Sequence, residues 1–196
     1  MLIGLVAQPW WVNLTVLVPV LAYGTWRRDG VSLNAQQLVV SGVFAASFGF
    51  LEAAVVVYLR AAIGSLPGYH GTLADVIRLS GEFYEQSQSI SQLPKSLLTL
   101  ELLREAATIA MLMSLALLTS TKFRARAAIF LWTFGIWDIT YYAALWATVR
   151  WPVSLTDPDV LFLIPVPWLS PVWFPLMVSG LGVVAVLVTR VATTRT

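Results

Sequence analysis

Three ionisable residues lie close together inside a long apolar stretch of the sequence. The stretch runs from Pro94 to Thr119 and contains Glu101, Arg104 and Glu105. Charged groups in a segment of membrane-spanning length are costly to bury, so each requires a partner, a water-filled cavity or a functional role. On a helix, Glu101 and Glu105 share a face at spacing i, i+4, and Arg104 pairs with Glu101 at i, i+3. Two acids therefore face one base, which leaves a negative balance.

Two further acids lie within apolar runs and extend this set of candidate site residues. Glu52 follows Gly49 by three residues on a helix face of small side chains, so we expect it to point into a helix bundle. Asp138 lies near the middle of another run, where insertion into a membrane costs about 2.5 to 3.5 kcal/mol. Tyr141 and Tyr142 follow it and could donate hydrogen bonds to its carboxylate. The small residues of the first face are Ser41, Ala45, Gly49 and Ala53.

The composition identifies the class of protein that must position these groups. Of the 196 residues, 58% are hydrophobic and 11% are charged, and the mean hydropathy is +0.79. An average soluble domain is far less apolar. We therefore predict an all-α fold, a polytopic integral membrane helix bundle that forms one domain over residues 1–196. The net charge is +2, but the 12 basic residues are spread over several loops and form no patch, so no nucleic-acid partner is expected.

The apolar runs predict about five transmembrane helices in a lipid bilayer. A spanning helix needs about 20 residues, and the runs cover 10–26, 36–62, 95–119, 127–148 and 172–189. The first run has no basic segment before it and no small-residue cleavage site after it, so we expect a retained helix. The longer polar connections, 64–94 and 151–170, are predicted as loops on the outer side.

Each outer loop contains residues that could cover the site. Residues 72–75 resemble a capping box, which predicts a short helix on the membrane surface. His70, the single histidine, precedes this helix. In the second loop, Asp159 precedes an apolar run that contains Pro165 and Pro167 and is too short to span. This pattern predicts a re-entrant or interfacial segment. His70 and Asp159 join Tyr141 and Tyr142 as supporting residues around the site.

The distribution of Lys and Arg predicts the orientation of the chain. With five spans and the amino terminus outside, seven basic residues lie inside and four lie outside, in agreement with the positive-inside rule. The inner residues are Arg27, Arg28, Lys122, Arg124, Arg126, Arg190 and Arg195, and the outer residues are Arg60, Arg78, Lys95 and Arg150. The carboxyl terminus then lies inside. The same orientation places Glu52, Glu101, Glu105 and Asp138 toward the outer side, which predicts one polar site that opens outward.

Several cofactors and reactions are excluded by residues that the sequence lacks. A chain with no cysteine cannot form a Cys-ligated metal site, and one histidine cannot supply a bis-His haem within a single chain. No nucleotide-binding or hydrolase motif occurs. No internal repeat is evident, which weighs against an inverted-repeat transporter built from one chain. If a divalent metal ion binds, the candidate ligands are Glu52, Glu101, Glu105 and Asp138.

Three functions stay open, and proton- or cation-linked transport or conduction is preferred. In that function the buried carboxylates bind and release protons or cations. The second is an integral membrane enzyme that acts on a lipid or isoprenoid, with a carboxylate as general acid, general base or metal ligand. The third is an accessory subunit of a larger membrane complex. Assembly into a homo-oligomer also stays open. A subunit predicts acids that face outward from the bundle, whereas a site predicts acids that face one another.

Overall fold

The computed structural model describes residues 6–63 and 95–191, and these residues are mostly helical. A 3₁₀ helix, Trp10–Val16, leads into the first of five α-helices found in this part of the chain. The α-helices are α1 (Leu17–Trp26), α2 (Ala35–Ile63), α3 (Lys95–Thr119), α4 (Phe123–Val149) and α5 (Trp173–Thr189). Each predicted span therefore coincides with a helical segment. The predicted surface helix at 72–75, the loop 64–94 and His70 lie outside the described residues.

Three of the helices are long and apolar enough to cross a membrane, which indicates a membrane location. The qualifying segments are Ala35–Tyr58, Thr99–Thr119 and Phe123–Val149. The fourth apolar helix, α5, has 17 residues. In α4, half of the most apolar 18-residue stretch is buried within the protein. The corresponding stretch is 28% buried in α2 and 22% buried in α3. Helix α4 is therefore the central helix, and the other two leave most of their apolar surface exposed.

The small-residue face of α2 packs directly against α4. A Cβ atom added to Gly49 would lie 2.4 Å from the carbonyl oxygen of Trp137, so the two backbones are in close contact. Ser41, Ala45 and Ala53 are buried along the same face. This confirms the predicted helix-packing face, because small side chains are what allow two helix backbones to approach.

The two ends of the bundle are built differently. At one end, β1 (Val31–Ser32) pairs in parallel with β4 (Arg190–Val191). Arg124 forms an ion pair with Asp29 at 2.7 Å at the same end. We call this the basic end, because it gathers Arg27, Arg28, Lys122, Arg124, Arg126 and Arg190. The helices run alternately toward and away from it.

The opposite end carries an antiparallel hairpin that was not predicted. Strand β2 (Pro158–Phe162) pairs with β3 (Trp168–Pro171), and we call this the hairpin end. Pro165 and Pro167 lie in the turn between the two strands, where strand pairing does not require a backbone N–H group. The re-entrant or interfacial placement of this segment stays a prediction, and the all-helical expectation missed both short sheets.

Helix α1 is joined to α5 at both ends of the bundle. It packs along α5, and β1, which follows it, pairs with β4 directly after α5. At the hairpin end, Gln8 and Leu169 exchange two backbone hydrogen bonds of 2.7 Å. The first and last helices of the described chain are thus held together by packing and by backbone pairing at either end.

Candidate functional site

Three helices meet at the carboxylate of Glu52. This side chain, on α2, is buried and forms an ion pair with the guanidinium of Arg104 on α3. Trp137 on α4 donates its indole N–H to Glu52 Oε2 at 2.8 Å. The Thr108 hydroxyl donates to the same carboxylate, at 3.1 and 3.2 Å from its two oxygens. Glu52 therefore points into the bundle, as its position on the small-residue face led us to expect.

Arg104 binds a second carboxylate on its own helix. Its Nε lies 3.0 Å from each carboxylate oxygen of Glu101, and its Nη2 also contacts Oε1. The side chains of Arg104 and Glu101 are 25% and 23% exposed, whereas that of Glu52 is 6% exposed. We call Glu52, Glu101 and Arg104 the carboxylate–arginine cluster. It contains two formal negative charges and one positive charge, and it reaches the protein surface through Glu101 and Arg104.

Glu105 lies one helical turn after Glu101 but has a different partner. Its two carboxylate oxygens accept the backbone N–H of Leu163 at 3.0 and 2.8 Å. Leu163 directly follows β2, at the start of the Pro-rich turn. Glu105 therefore fastens the hairpin to α3. The sequence placed this residue beside the other acids correctly but gave no indication that a backbone amide would be its partner.

Asp138 and Asp159 form a second polar group, which we call the aspartate pair. Asp138 on α4 accepts a hydrogen bond from the Ser179 hydroxyl of α5 at 2.8 Å. Asp159 on β2 accepts one from the Tyr142 hydroxyl at 2.7 Å. Tyr142 was expected to donate to Asp138, and it donates to Asp159 instead. Ser179 was missed, although a hydroxyl inside an otherwise apolar helix is the signal that could have identified it.

Aromatic rings lie between the carboxylate–arginine cluster and the aspartate pair. The ring of Trp137, which binds Glu52, stacks on Tyr141 with centroids 6.4 Å apart. Tyr141 in turn makes an edge contact with Tyr142 at 5.2 Å. All of these residues lie in the half of the bundle nearer the hairpin end. The predicted polar site is thus brought together on one side, as two groups with an aromatic connection.

The candidate acids bind different partners and are not grouped around one point. In the part of the chain that the structure describes, no three His, Asp or Glu side chains are placed to hold a metal ion. Glu52 is bound to a guanidinium, Glu105 to a backbone amide and Asp138 to a hydroxyl. The hypothesis of a metal site formed by Glu52, Glu101, Glu105 and Asp138 therefore gains no support from these residues.

A groove runs along the outer side of α4 near the hairpin end. Its volume is about 370 Å³, and the ring of Tyr142 forms part of its wall. We call it the lateral groove, and its lining consists of Ile139, Tyr142, Ala143, Trp146, Pro152, Val153, Ser154, Leu155 and Leu176. The groove is mostly apolar, and the aspartate pair lies behind the tyrosine that forms its wall.

The contact between Glu105 and Leu163 predicts how firmly the hairpin is held. In Glu105→Gln the amide nitrogen cannot accept a hydrogen bond, and the remaining oxygen is uncharged. We expect a loss of about 1 kcal/mol at this contact, and therefore about fivefold faster amide hydrogen exchange in residues 158–171. Glu101→Gln is the matched control, because it removes a neighbouring carboxylate and leaves the Leu163 hydrogen bond intact. Equal exchange in the two variants would contradict the anchoring role.

No family model, curated protein or solved structure matches this chain.

Proposed function

We propose that the chain is a multi-pass membrane protein whose carboxylate–arginine cluster binds a proton or a small cation in the course of proton- or cation-linked transport. The observation that carries the proposal is the excess of carboxylates over guanidinium groups where α2, α3 and α4 meet. An uncompensated charge is costly in a low-dielectric environment. Binding of a proton or cation neutralises the excess, so the cluster favours that occupant.

The proposed membrane arrangement has five spans. Helices α2, α3 and α4 are long enough to cross by themselves, and we assign α1 with its preceding 3₁₀ turn and α5 as the remaining two spans. The basic end lies inside and the hairpin end outside, since loops rich in Lys and Arg stay on the inner side. The amino terminus is then outside and the carboxyl terminus inside, and the cluster exchanges its occupant with the outer solution.

The packing of the other half of the bundle favours a carrier over an open pore. Between the cluster and the basic end, the described core contains Leu112, Ala116 and Ile129, which are at most 1% exposed. These side chains offer no polar contacts to an ion, and the buried hydroxyls of Ser41 and Thr133 in this half donate to backbone carbonyls of their own helices. Passage through this half therefore requires a rearrangement of helices, which is how carriers expose one site alternately to two sides.

The burial of the acids argues against the role of an accessory subunit held by charge pairs. Glu52, Glu105, Asp138 and Asp159 are 5% to 8% exposed, and each has a partner within the chain. Acids that pair with another protein would instead lie on the outer surface of this bundle. The proposal therefore assigns these groups to an internal site.

The test is a flux assay on the purified protein in liposomes, with a pH-sensitive dye to follow protons and Na⁺- and K⁺-selective dyes to follow the cations. A proton, Na⁺ or K⁺ gradient is applied, and we expect wild-type protein to dissipate at least one of these gradients. Glu52→Gln should reduce that flux at least about tenfold, because about 1.4 kcal/mol of lost site affinity already gives that factor. The matched control is Asp29→Asn, an exposed acid at the basic end whose removal should leave the flux unchanged. Folded wild-type protein without flux, or unchanged flux in Glu52→Gln, overturns the proposal.

A second candidate function is an enzyme that acts on a lipid or isoprenoid, and one observation favours it. The aspartate pair lies behind Tyr142, whose ring forms a wall of the apolar lateral groove. A carboxylate and a tyrosine hydroxyl in contact are suitable for general acid–base chemistry. The discriminating experiment compares membrane lipids from cells that express wild type or Asp159→Asn. A lipid species whose abundance depends on Asp159 supports the enzyme, and identical lipid profiles exclude it for the lipids measured.

A further inference from the structure

The lateral groove ends beside an exposed arginine. Arg150 directly follows α4 as its C-terminal capping residue, and its guanidinium carbon lies 4.9 Å from the centroid of the Trp146 ring. Trp146 lines the groove. A cation held over an aromatic face in this way has a defined position, since the ring quadrupole attracts it. The positive charge is therefore placed at the end of the groove that lies nearest the hairpin end.

The backbone of Arg150 is unusual for its residue type. Its φ is +57°, in the left-handed region, where a helix most often ends in glycine. A residue with a Cβ atom is less favourable there than glycine. The chain nevertheless has an arginine at this position. A side-chain role at the mouth of the groove accounts for that choice.

The walls of the groove face the lipid. Ile139 and Trp146 are exposed on α4, and they are seven residues apart, or about 10 Å along the helix axis. In the loop that closes the groove, Val153 is 88% exposed and Leu155 is 58% exposed. Such apolar side chains at the end of a membrane-length helix belong in the acyl part of the bilayer. The groove is therefore open to the hydrocarbon chains of neighbouring lipids.

The guanidinium of Arg150 is available to a ligand. Within residues 6–63 and 95–191, the ion pairs involve Arg104 and Arg124 and not Arg150. In the loop after Arg150, the carboxylate of Asp157 accepts the backbone N–H groups of Val153 and Ser154 at 2.8 and 3.0 Å, which holds the loop in place. The cation thus lies beside an apolar groove with only an aromatic ring as its described partner.

We propose that the lateral groove binds one acyl chain of an anionic phospholipid whose phosphate pairs with Arg150. A guanidinium presents two parallel N–H donors that match two phosphate oxygens. A zwitterionic lipid would add an ammonium group near the same cation, so the anionic lipid is favoured. A volume of about 370 Å³ lies within the usual range for small-ligand pockets. The proposal rests on the proposed membrane arrangement, but on neither transport nor enzyme activity.

The test is native mass spectrometry of the detergent-purified protein with phosphatidylglycerol and phosphatidylcholine of identical acyl chains at equal concentration. We expect wild type to retain phosphatidylglycerol about fivefold more than phosphatidylcholine, the ratio that corresponds to about 1 kcal/mol for one basic residue at an anionic surface. Arg150→Gln should remove this preference. The matched control Arg124→Gln, an exposed arginine at the opposite end, should keep it.

A second variant tests the groove independently of the charge. Ala143 is exposed and lines the groove, so Ala143→Phe should fill the groove and reduce retention of both lipids. A preference that survives in Arg150→Gln overturns the assignment of the headgroup. Undiminished lipid retention in folded Ala143→Phe overturns the assignment of the acyl chain.

Discussion

Replacing Arg104 with glutamine is expected to destabilise the protein by about 2 to 3 kcal/mol. The substitution leaves Glu52 buried with no counter-ion and removes the cation that Glu101 also binds. Loss of one partner of a fully buried ion pair costs about 3 to 5 kcal/mol, and the value is smaller here because Arg104 is one-quarter exposed. The measurement is equilibrium unfolding in mixed micelles with increasing fractions of a denaturing detergent.

A double variant separates lost charge pairing from general damage. Arg104→Gln combined with Glu52→Gln removes both charges, so it should recover at least half of the lost stability. Arg124→Gln is the matched single control, because its ion pair with Asp29 is exposed and such pairs contribute only about 0 to 1 kcal/mol. The cluster would not be a true ion-pair network if Arg104→Gln were as mild as Arg124→Gln. The same conclusion would follow if the stability losses of Arg104→Gln and Glu52→Gln simply added in the double variant.

The second large effect is expected from Gly49→Ala. The added methyl group would lie 2.4 Å from the Trp137 carbonyl oxygen and 3.1 Å from Thr140 Cβ. The first neighbour is a backbone atom that no side-chain rotation can move, so α2 and α4 must separate. Overpacking of this kind costs about 1 to 3 kcal/mol. The same separation lengthens the hydrogen bond from Trp137 to Glu52, so the flux should fall together with the stability.

Gly180→Ala provides the matched control for the helix-packing prediction. A Cβ atom at Gly180 has no neighbour within 4 Å, and alanine is favoured over glycine within a helix by about 1 kcal/mol. We therefore expect Gly180→Ala to be neutral or slightly stabilising in the same unfolding experiment. If Gly49→Ala and Gly180→Ala unfolded at the same fraction of denaturing detergent, the close contact between α2 and α4 would not determine stability.

The helices and the small-residue face of α2 were predictable because their signals are local. A long apolar run needs an internally hydrogen-bonded backbone in a membrane, and small residues at every fourth position mark the face that meets another helix. Glu52 could be directed inward by the same argument, since it shares the face of Gly49. These inferences require only the spacing of residues within one segment.

The partners of the other acids could not be predicted because they come from distant segments. Asp138 binds a serine 41 positions away, and Glu105 binds a backbone amide 58 positions away. A backbone N–H carries no residue type, so the sequence gives no sign that Leu163 supplies one. The hairpin was missed for a related reason. Its strands have four and five residues, too few to show an alternating pattern when prolines lie between them.

The double connection between α1 and α5 has a mechanical consequence. Backbone pairing at Gln8–Leu169 and at β1–β4 resists sliding of these two helices past each other. Helix α5 also packs closely on α4, since a Cβ atom added to Gly135 would lie 2.7 Å from the carbonyl oxygen of Ser179. At this same interface Asp138 accepts the hydroxyl of Ser179. A displacement of α1 and α5 against the other helices would therefore have to break that hydrogen bond.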